Sequence, residues 1–165
     1  MADRPWYEDV PLPQLMREAR DVYRHAVARA LADAGCDDVP RNGPFVLADL
    51  DQAAADPRFS TQADVVASLG LSKQAASQLI DTLVLREYLE RRNDPVDRRR
   101  MEVRLTERGR VAAIAIGTAI YAVEDGLAQL ISVDELHGLR AGLAAYRAIR
   151  AQVGLPPAAG EGYGR

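Results

Sequence analysis

Residues 60–109 limit the possible folds more than any other stretch, because within them the hydrophobic period changes from helical to strand-like and back. The segment 60–70 opens on Ser60 and Thr61 and carries Ala63, Val66, Ala67 and Leu69 at helical spacing. It stops at Gly70, which suits a left-handed C-cap. One residue later Ser72 can cap a second helix. On it Lys73, Gln74, Ser77, Gln78 and Asp81 share one face, while Ala76, Leu79, Ile80 and Leu83 share the other. Residues 88–92 and 101–105 then alternate in the manner of strands around a turn built from Asn93, Asp94, Pro95 and Asp97, with Arg98, Arg99 and Arg100 beside it. The order is helix, tight turn, helix, arginine-tipped hairpin.

Charge is distributed in keeping with that order. The chain of 165 residues carries a formal net charge of -3, which by itself points to no polyanionic partner. Residues 86–110, however, hold nine arginines against six acids, and the rest of the chain is correspondingly acidic. Such polarity keeps a scaffold soluble while focusing positive potential at one place. With 48% hydrophobic residues, the length suits one core or a small module fused to a helical scaffold, and excludes two large independent domains.

Taken together, Ile80-Asp81-x-Leu83, Tyr88-Leu89-x-Arg91, Asp97-x-Arg99 and Leu105-Thr106-x-x-Gly109 resemble the winged helix-turn-helix signature of the multiple antibiotic resistance regulator (MarR) family. The resemblance implies a mainly α fold with a small β-hairpin wing, in which a winged helix-turn-helix joins a helical dimerisation domain. Two positions depart from the family pattern. Glu87 stands where glycine is usual before the first wing strand, and Gln78 stands where arginine is common in the second helix. The first leaves the turn geometry open, and the second the operator sequence.

The flanking segments read as helices. Pro13 suits the first turn of a helix running to about Ala34, ahead of Gly35. Its apolar stripe, broadened by Met16, Tyr23, Val27 and Leu31, implies more than one packing partner. Asn42-Gly43-Pro44 starts a short helix that should lie under the helix-turn-helix. Thr106 can cap a long helix to about Leu130, and Ser132-x-x-Glu135 is a capping box for a last helix to about Val153. The expected organisation is 1–40 as an N-terminal dimerisation helix, 41–110 as the DNA-binding domain, 111–154 as C-terminal dimerisation helices and 155–165 as a disordered tail. Trp6 and Tyr7 in the leader are expected to dock, with a second subunit as one candidate.

On DNA, Lys73, Gln74, Ser77 and Gln78 are placed to read base edges in the major groove. The glutamines suit adenine, and Lys73 suits guanine or phosphate. Ser72 could hold a phosphate through its hydroxyl or a helix-terminal N–H. The family pattern makes Arg99, flanked by Arg98 and Arg100, the residue that enters the minor groove, with Asp97 orienting its guanidinium. Asp81 is expected to pair with a wing or helix arginine. Arg91, Arg92 and Arg104 divide evenly between backbone contacts and plain surface charge.

The expected molecule is thus a homodimeric, sequence-specific transcriptional regulator on a palindromic operator, a ligand-responsive repressor. The resemblance implies a small aromatic effector, with Tyr23, His25, Phe45 and Tyr121 as candidate contacts, although aromatics on amphipathic helices usually belong to a core. No cofactor, metal or catalysis is expected, since His25, His137 and Cys36 form no nucleophile–base arrangement and Gly160, Gly162 and Gly164 precede no helix. A winged helix that binds protein instead of DNA is the alternative. The lone Cys36 allows no intramolecular disulfide, and residues 1–5 lack the apolar run of a signal peptide, so a cytoplasmic location is expected. The uncharged run 111–123 is shorter than the ~20 residues a bilayer needs and reads as a buried helix.

Overall fold

The computed structural model describes residues 4–53, 72–93 and 101–155. In order these form a 3-10 turn at Trp6–Asp9, α1 (Leu12–Asp33), α2 (Gly43–Ala53), α3 (Lys73–Leu85), β1 (Leu89–Asn93), β2 (Met101–Leu105), α4 (Glu107–Ala128) and α5 (Val133–Gln152). The expected helix at 60–70, the turn residues Asp94 and Pro95, and the tail beyond 155 lie outside the described residues.

Helix boundaries follow the side chains that satisfy their ends. Ser72 accepts a hydrogen bond from the Ala75 N–H at 3.3 Å and Thr106 accepts one from Gly109 at 3.0 Å, caps worth about 1 kcal/mol each. At the start of α5 the Glu135 carboxylate accepts from the Ser132 N–H at 2.8 Å while Ser132 Oγ accepts from the Glu135 N–H at 3.3 Å, which is the reciprocal box read from the sequence. The Ser132 hydroxyl, which also donates to the Glu135 carboxylate at 2.7 Å, followed by the Ser132 N–H, holds the Glu135 carboxyl below its ordinary value.

At the C-terminus of α1, Gly35 takes φ 68°, the Cys36 N–H donates to the Leu31 carbonyl at 2.7 Å and the Gly35 N–H donates to Ala32 at 3.0 Å. That is a Schellman cap. The C-terminus of α3 has the same bonds, Tyr88 N–H to Leu83 at 2.9 Å and Glu87 N–H to Val84 at 3.0 Å, but the residue in the left-handed position is Glu87, with φ 61°. A turn that the sequence left open therefore keeps the geometry a glycine would supply, at the expense of a Cβ in the left-handed region. Glu87→Gly is expected to stabilise the chain by about 0.5–1 kcal/mol, the relieved strain less the added freedom of the unfolded chain. A urea midpoint unchanged or lowered would contradict this.

One core lies where these elements meet. Leu31 and Cys36 from the end of α1 join Val46 and Leu47 of α2, Ile80 and Leu83 of α3, Tyr88 and Leu89, Val103 and Leu105 of the hairpin, and Ala112, Ala113 and Ile116 of α4. Each large side chain so buried is worth roughly 1.5–3 kcal/mol. The strands pair antiparallel with Leu89 opposite Leu105 and Arg91 opposite Val103, so the hairpin turns its leucines into the core, with β1 against α3 and β2 against α2 and α4.

Helix α4 is long and apolar enough to cross a bilayer by length and composition. It instead packs along α1 and α2. The expectation that its uncharged run is buried holds for one face only. Ala112, Ala113, Ile116 and Ala119 are buried, whereas Val111, Ile114 and Tyr121 are exposed, because a single chain has elements on only one side of this helix. Among its described residues helix α5 supplies none to the core, and their side chains are almost all exposed. Trp6 and Tyr7 stand edge-to-face with centroids 6.0 Å apart, and Trp6 is 70% exposed.

Candidate nucleic-acid interface

Helix α3 is two-sided, as its spacing requires. Ala76, Ile80 and Leu83 are fully buried, and this anchors the helix with its opposite face outward. On that face Ser72, Lys73, Gln74 and Gln78 are exposed and Ser77 is half-buried. Among the described residues neither Lys73 nor either glutamine makes a side-chain hydrogen bond or ion pair. Their donors and acceptors, on three side chains within two turns, are therefore presented to solvent. Ala75 is exposed beside them and adds a methyl surface.

The hairpin is tied to the same helix. Arg91 on β1 forms a salt bridge and hydrogen bond with Asp81, the one acidic residue on the outward face of α3. Asp81 is thereby neutralised within the protein, the expected role. Arg92 pairs with Glu90 at 2.8 Å and Arg104 with Glu102 at 2.7 Å, which favours plain structural charge for these two. Glu102 is the buried member, and a carboxylate in that position needs such a partner. Asp97, Arg98, Arg99 and Arg100 lie outside the described residues. Of the nine arginines counted in 86–110, the six described are all engaged within the chain, so any surplus positive charge available to a partner rests on the other three.

Behind the C-terminus of α3 sits a polar joint that sequence spacing does not reveal. Asp38, in the loop between α1 and α2, accepts hydrogen bonds on Oδ1 from the Tyr88 hydroxyl and from Arg108 Nη2, the latter at 2.9 Å. Its backbone carbonyl accepts from Arg86, the C-cap of α3. Arg108 on α4 also donates to the Arg86 carbonyl at 2.7 Å and lies 4.4 Å from the Tyr88 ring centroid. A cation at a helix C-terminus is favourably placed against the last carbonyls. The Tyr88 hydrogen bond, followed by the neighbouring Arg108, holds the Asp38 carboxyl below its ordinary value. Burial, then the bonds to Asp38 and Cys36, push the Tyr88 hydroxyl up. Cys36 is buried beneath this joint, and its thiol faces the Ala34 carbonyl at 3.6 Å.

Thr106 closes the same turn from the other side. Its N–H donates to the Tyr88 carbonyl at 3.1 Å, and its hydroxyl reaches the carbonyls of Glu87 and Tyr88 while accepting from Gly109. Gly109 packs so closely on the Tyr88 carbonyl that a Cβ there would overlap it. The Leu105-Thr106-x-x-Gly109 pattern is therefore a clasp between α4 and the end of α3.

The candidate effector contacts fall elsewhere. Tyr23 is half-buried, and burial, followed by Glu124, raises its hydroxyl pKa, with Arg140 opposing. Glu124 and Arg140 bridge α4 to α5 at 2.9 Å. His25 is exposed, its Nδ1 2.7 Å from the Asp21 carbonyl of its own helix. Phe45 is 67% and Tyr121 74% exposed, so neither belongs to the core of the single chain.

A polar-faced helix anchored on a three-sided core and followed by a two-stranded hairpin defines a winged-helix protein. Residues 50–100 match the model of the MarR family. No curated protein matches the sequence. Among solved structures it is similar to the transcriptional repressor CouR bound to a 23-mer DNA duplex, at 21% identity over 86% of this chain and 95% of that one, TM-score 0.63. It is also similar to wild-type MarR from E. coli, at 21% identity over 83% and 96%, TM-score 0.58. A third likeness is to S. aureus MepR bound to ethidium bromide, at 21% identity over 84% and 96%, TM-score 0.56. At this identity the likenesses establish the fold.

Proposed function

We propose that the protein is a homodimeric, sequence-specific DNA-binding transcriptional regulator acting as a ligand-responsive repressor. The observation that carries this is the outward face of α3. Lys73, Gln74 and Gln78 are exposed and uncommitted among the described residues, while the one acid on that face is neutralised by Arg91. A helix so presented fits the major groove, which is ~12 Å wide, and its glutamines match the donor–acceptor pair of adenine. CouR, of the same fold, is seen on a DNA duplex, and MepR with ethidium, a flat aromatic cation. These support a DNA partner and an aromatic effector for this chain. In this reading 41–110 reads DNA, 1–40 and 111–154 pair two copies, Arg99 enters the minor groove and Asp97 orients it. The site of action is the cytoplasm, and the protein performs no catalysis.

The test is selection of duplexes from a random-sequence pool by the full chain, followed by titration of the enriched sequence. A palindromic sequence with A·T pairs opposite the glutamines is expected. Arg99→Ala should weaken binding about tenfold or more and lower the slope of log affinity against log salt by about one. Absence of any enriched sequence from an intact dimer would favour a winged helix that binds protein.

A further inference from the structure

The joint behind α3 accounts for how that helix is aimed. Its outward face can meet bases only if its axis and rotation are held, and the described bonds concentrate that restraint at its C-terminal end. Arg86 is gripped twice, its guanidinium by the Asp38 carbonyl and its own carbonyl by Arg108. Arg108 and Tyr88 are in turn brought together on one oxygen, Oδ1 of Asp38. Asp38 thus links three elements, the loop after α1, the cap of α3 and the first turn of α4, across sequence separations of 48 to 70 residues. It lies at the C-terminal end of α3, whereas the base-reading residues lie in the first two turns, and so Asp38 touches no DNA in the proposed arrangement.

We propose that Asp38 is the positioning residue of the DNA-reading helix, setting its orientation through Arg86, Tyr88 and Arg108, so that loss of its carboxylate weakens specific recognition and leaves nonspecific binding intact. This rests on the DNA-binding reading above. The physical basis is the difference between the two kinds of contact. Phosphate attraction survives a small rotation of α3, because it is long-ranged and undirected, whereas hydrogen bonds to base edges weaken steeply with misalignment. Asp38 and Arg108 are themselves partly exposed, so the stiffness of the joint comes from several directional bonds converging on one residue and from the buried Tyr88 ring beneath them.

The experiment compares affinities of the full-length wild type, Asp38→Asn, Asp38→Glu and Tyr88→Phe for the enriched duplex and for a scrambled duplex of equal length. Dimer mass and circular dichroism are recorded for each. Asp38→Asn is expected to lose about tenfold on the enriched duplex with the scrambled one unchanged, and Tyr88→Phe, which removes one of two donors, about threefold. Asp38→Glu, which keeps the charge, should recover part of the loss. Equal losses on both duplexes, or an unchanged ratio in Asp38→Asn, would overturn the proposal. If Asp38→Asn does not fold, Tyr88→Phe decides by the same ratio. A wild type without duplex preference overturns the DNA-binding reading and this inference with it. A wild type with preference beside an unaffected Asp38→Asn overturns this inference alone.

Discussion

Gly109→Ala is expected to lower the stability of the chain by about 3 kcal/mol, the upper part of the range for overpacking a tight interior contact. The added methyl would collide with the Tyr88 carbonyl oxygen and press on Leu105 Cδ2 at 3.2 Å. Neither can yield cheaply. The Tyr88 carbonyl accepts from both the N–H and the hydroxyl of Thr106, and Tyr88 itself is fully buried between Asp38 and the core. Leu105 is held by its pairing opposite Leu89. The change would pry α4 from the end of α3, so the urea midpoint and duplex affinity should fall together. Gly43 offers a comparison, since a methyl there meets the side chains of Val39, Leu83 and Pro40 and no backbone. Side-chain tips can move, and the loss should be smaller. A Gly109→Ala variant as stable as the wild type would refute the clasp.

Replacing Leu143 and Ile149 together by Glu is expected to hold the 18.0 kDa chain as a monomer and to reduce affinity for a palindromic duplex by about a hundredfold or more. Helix α5 puts none of its described side chains into the core, yet exposes Leu139, Leu143, Tyr146 and Ile149 along its length. Val111, Ile114 and Tyr121 on α4 and Met16 and Val22 on α1 are exposed as well. Apolar surface on that scale is rare in monomers and suits the self-complementary patch of a two-fold dimer. A dimer would set two α3 helices toward successive major grooves, ~34–36 Å apart, and the second head then binds at high effective concentration. Sedimentation equilibrium of the wild type at micromolar concentration checks the premise, and a monomer there, or a double variant still dimeric, would count against it.

Much of the local structure was legible in the chain itself. Ser72, Thr106 and the Ser132–Glu135 box mark helix starts at the residues where α3, α4 and α5 begin, because a capping oxygen acts within one turn of its own backbone. The inward face of α3 follows from the 3.6-residue period, and the two strands from alternation, the first expected at 88–92 and found one residue later at Leu89–Asn93, the second at Met101–Leu105 as expected. Arginine content was a poorer guide. Nine arginines in 86–110 suggested a basic surface, yet the six described ones are bound within the chain, since counting charges says nothing about which neighbours folding will bring beside them.

What the sequence by itself determined is the identity and polarity of the elements: which segments are helical, which side of α3 is apolar, and which family's model residues 50–100 match. Tertiary structure alone decided that Glu87 would stand in a glycine's conformation, that Gly109 would lie against the Tyr88 carbonyl, and that Asp38, Arg86, Tyr88 and Arg108 would share one joint. The reason is range. Capping and periodicity are interactions over one or two turns, whereas these contacts join residues far apart in the chain and exist only once the core has set the positions of all three elements.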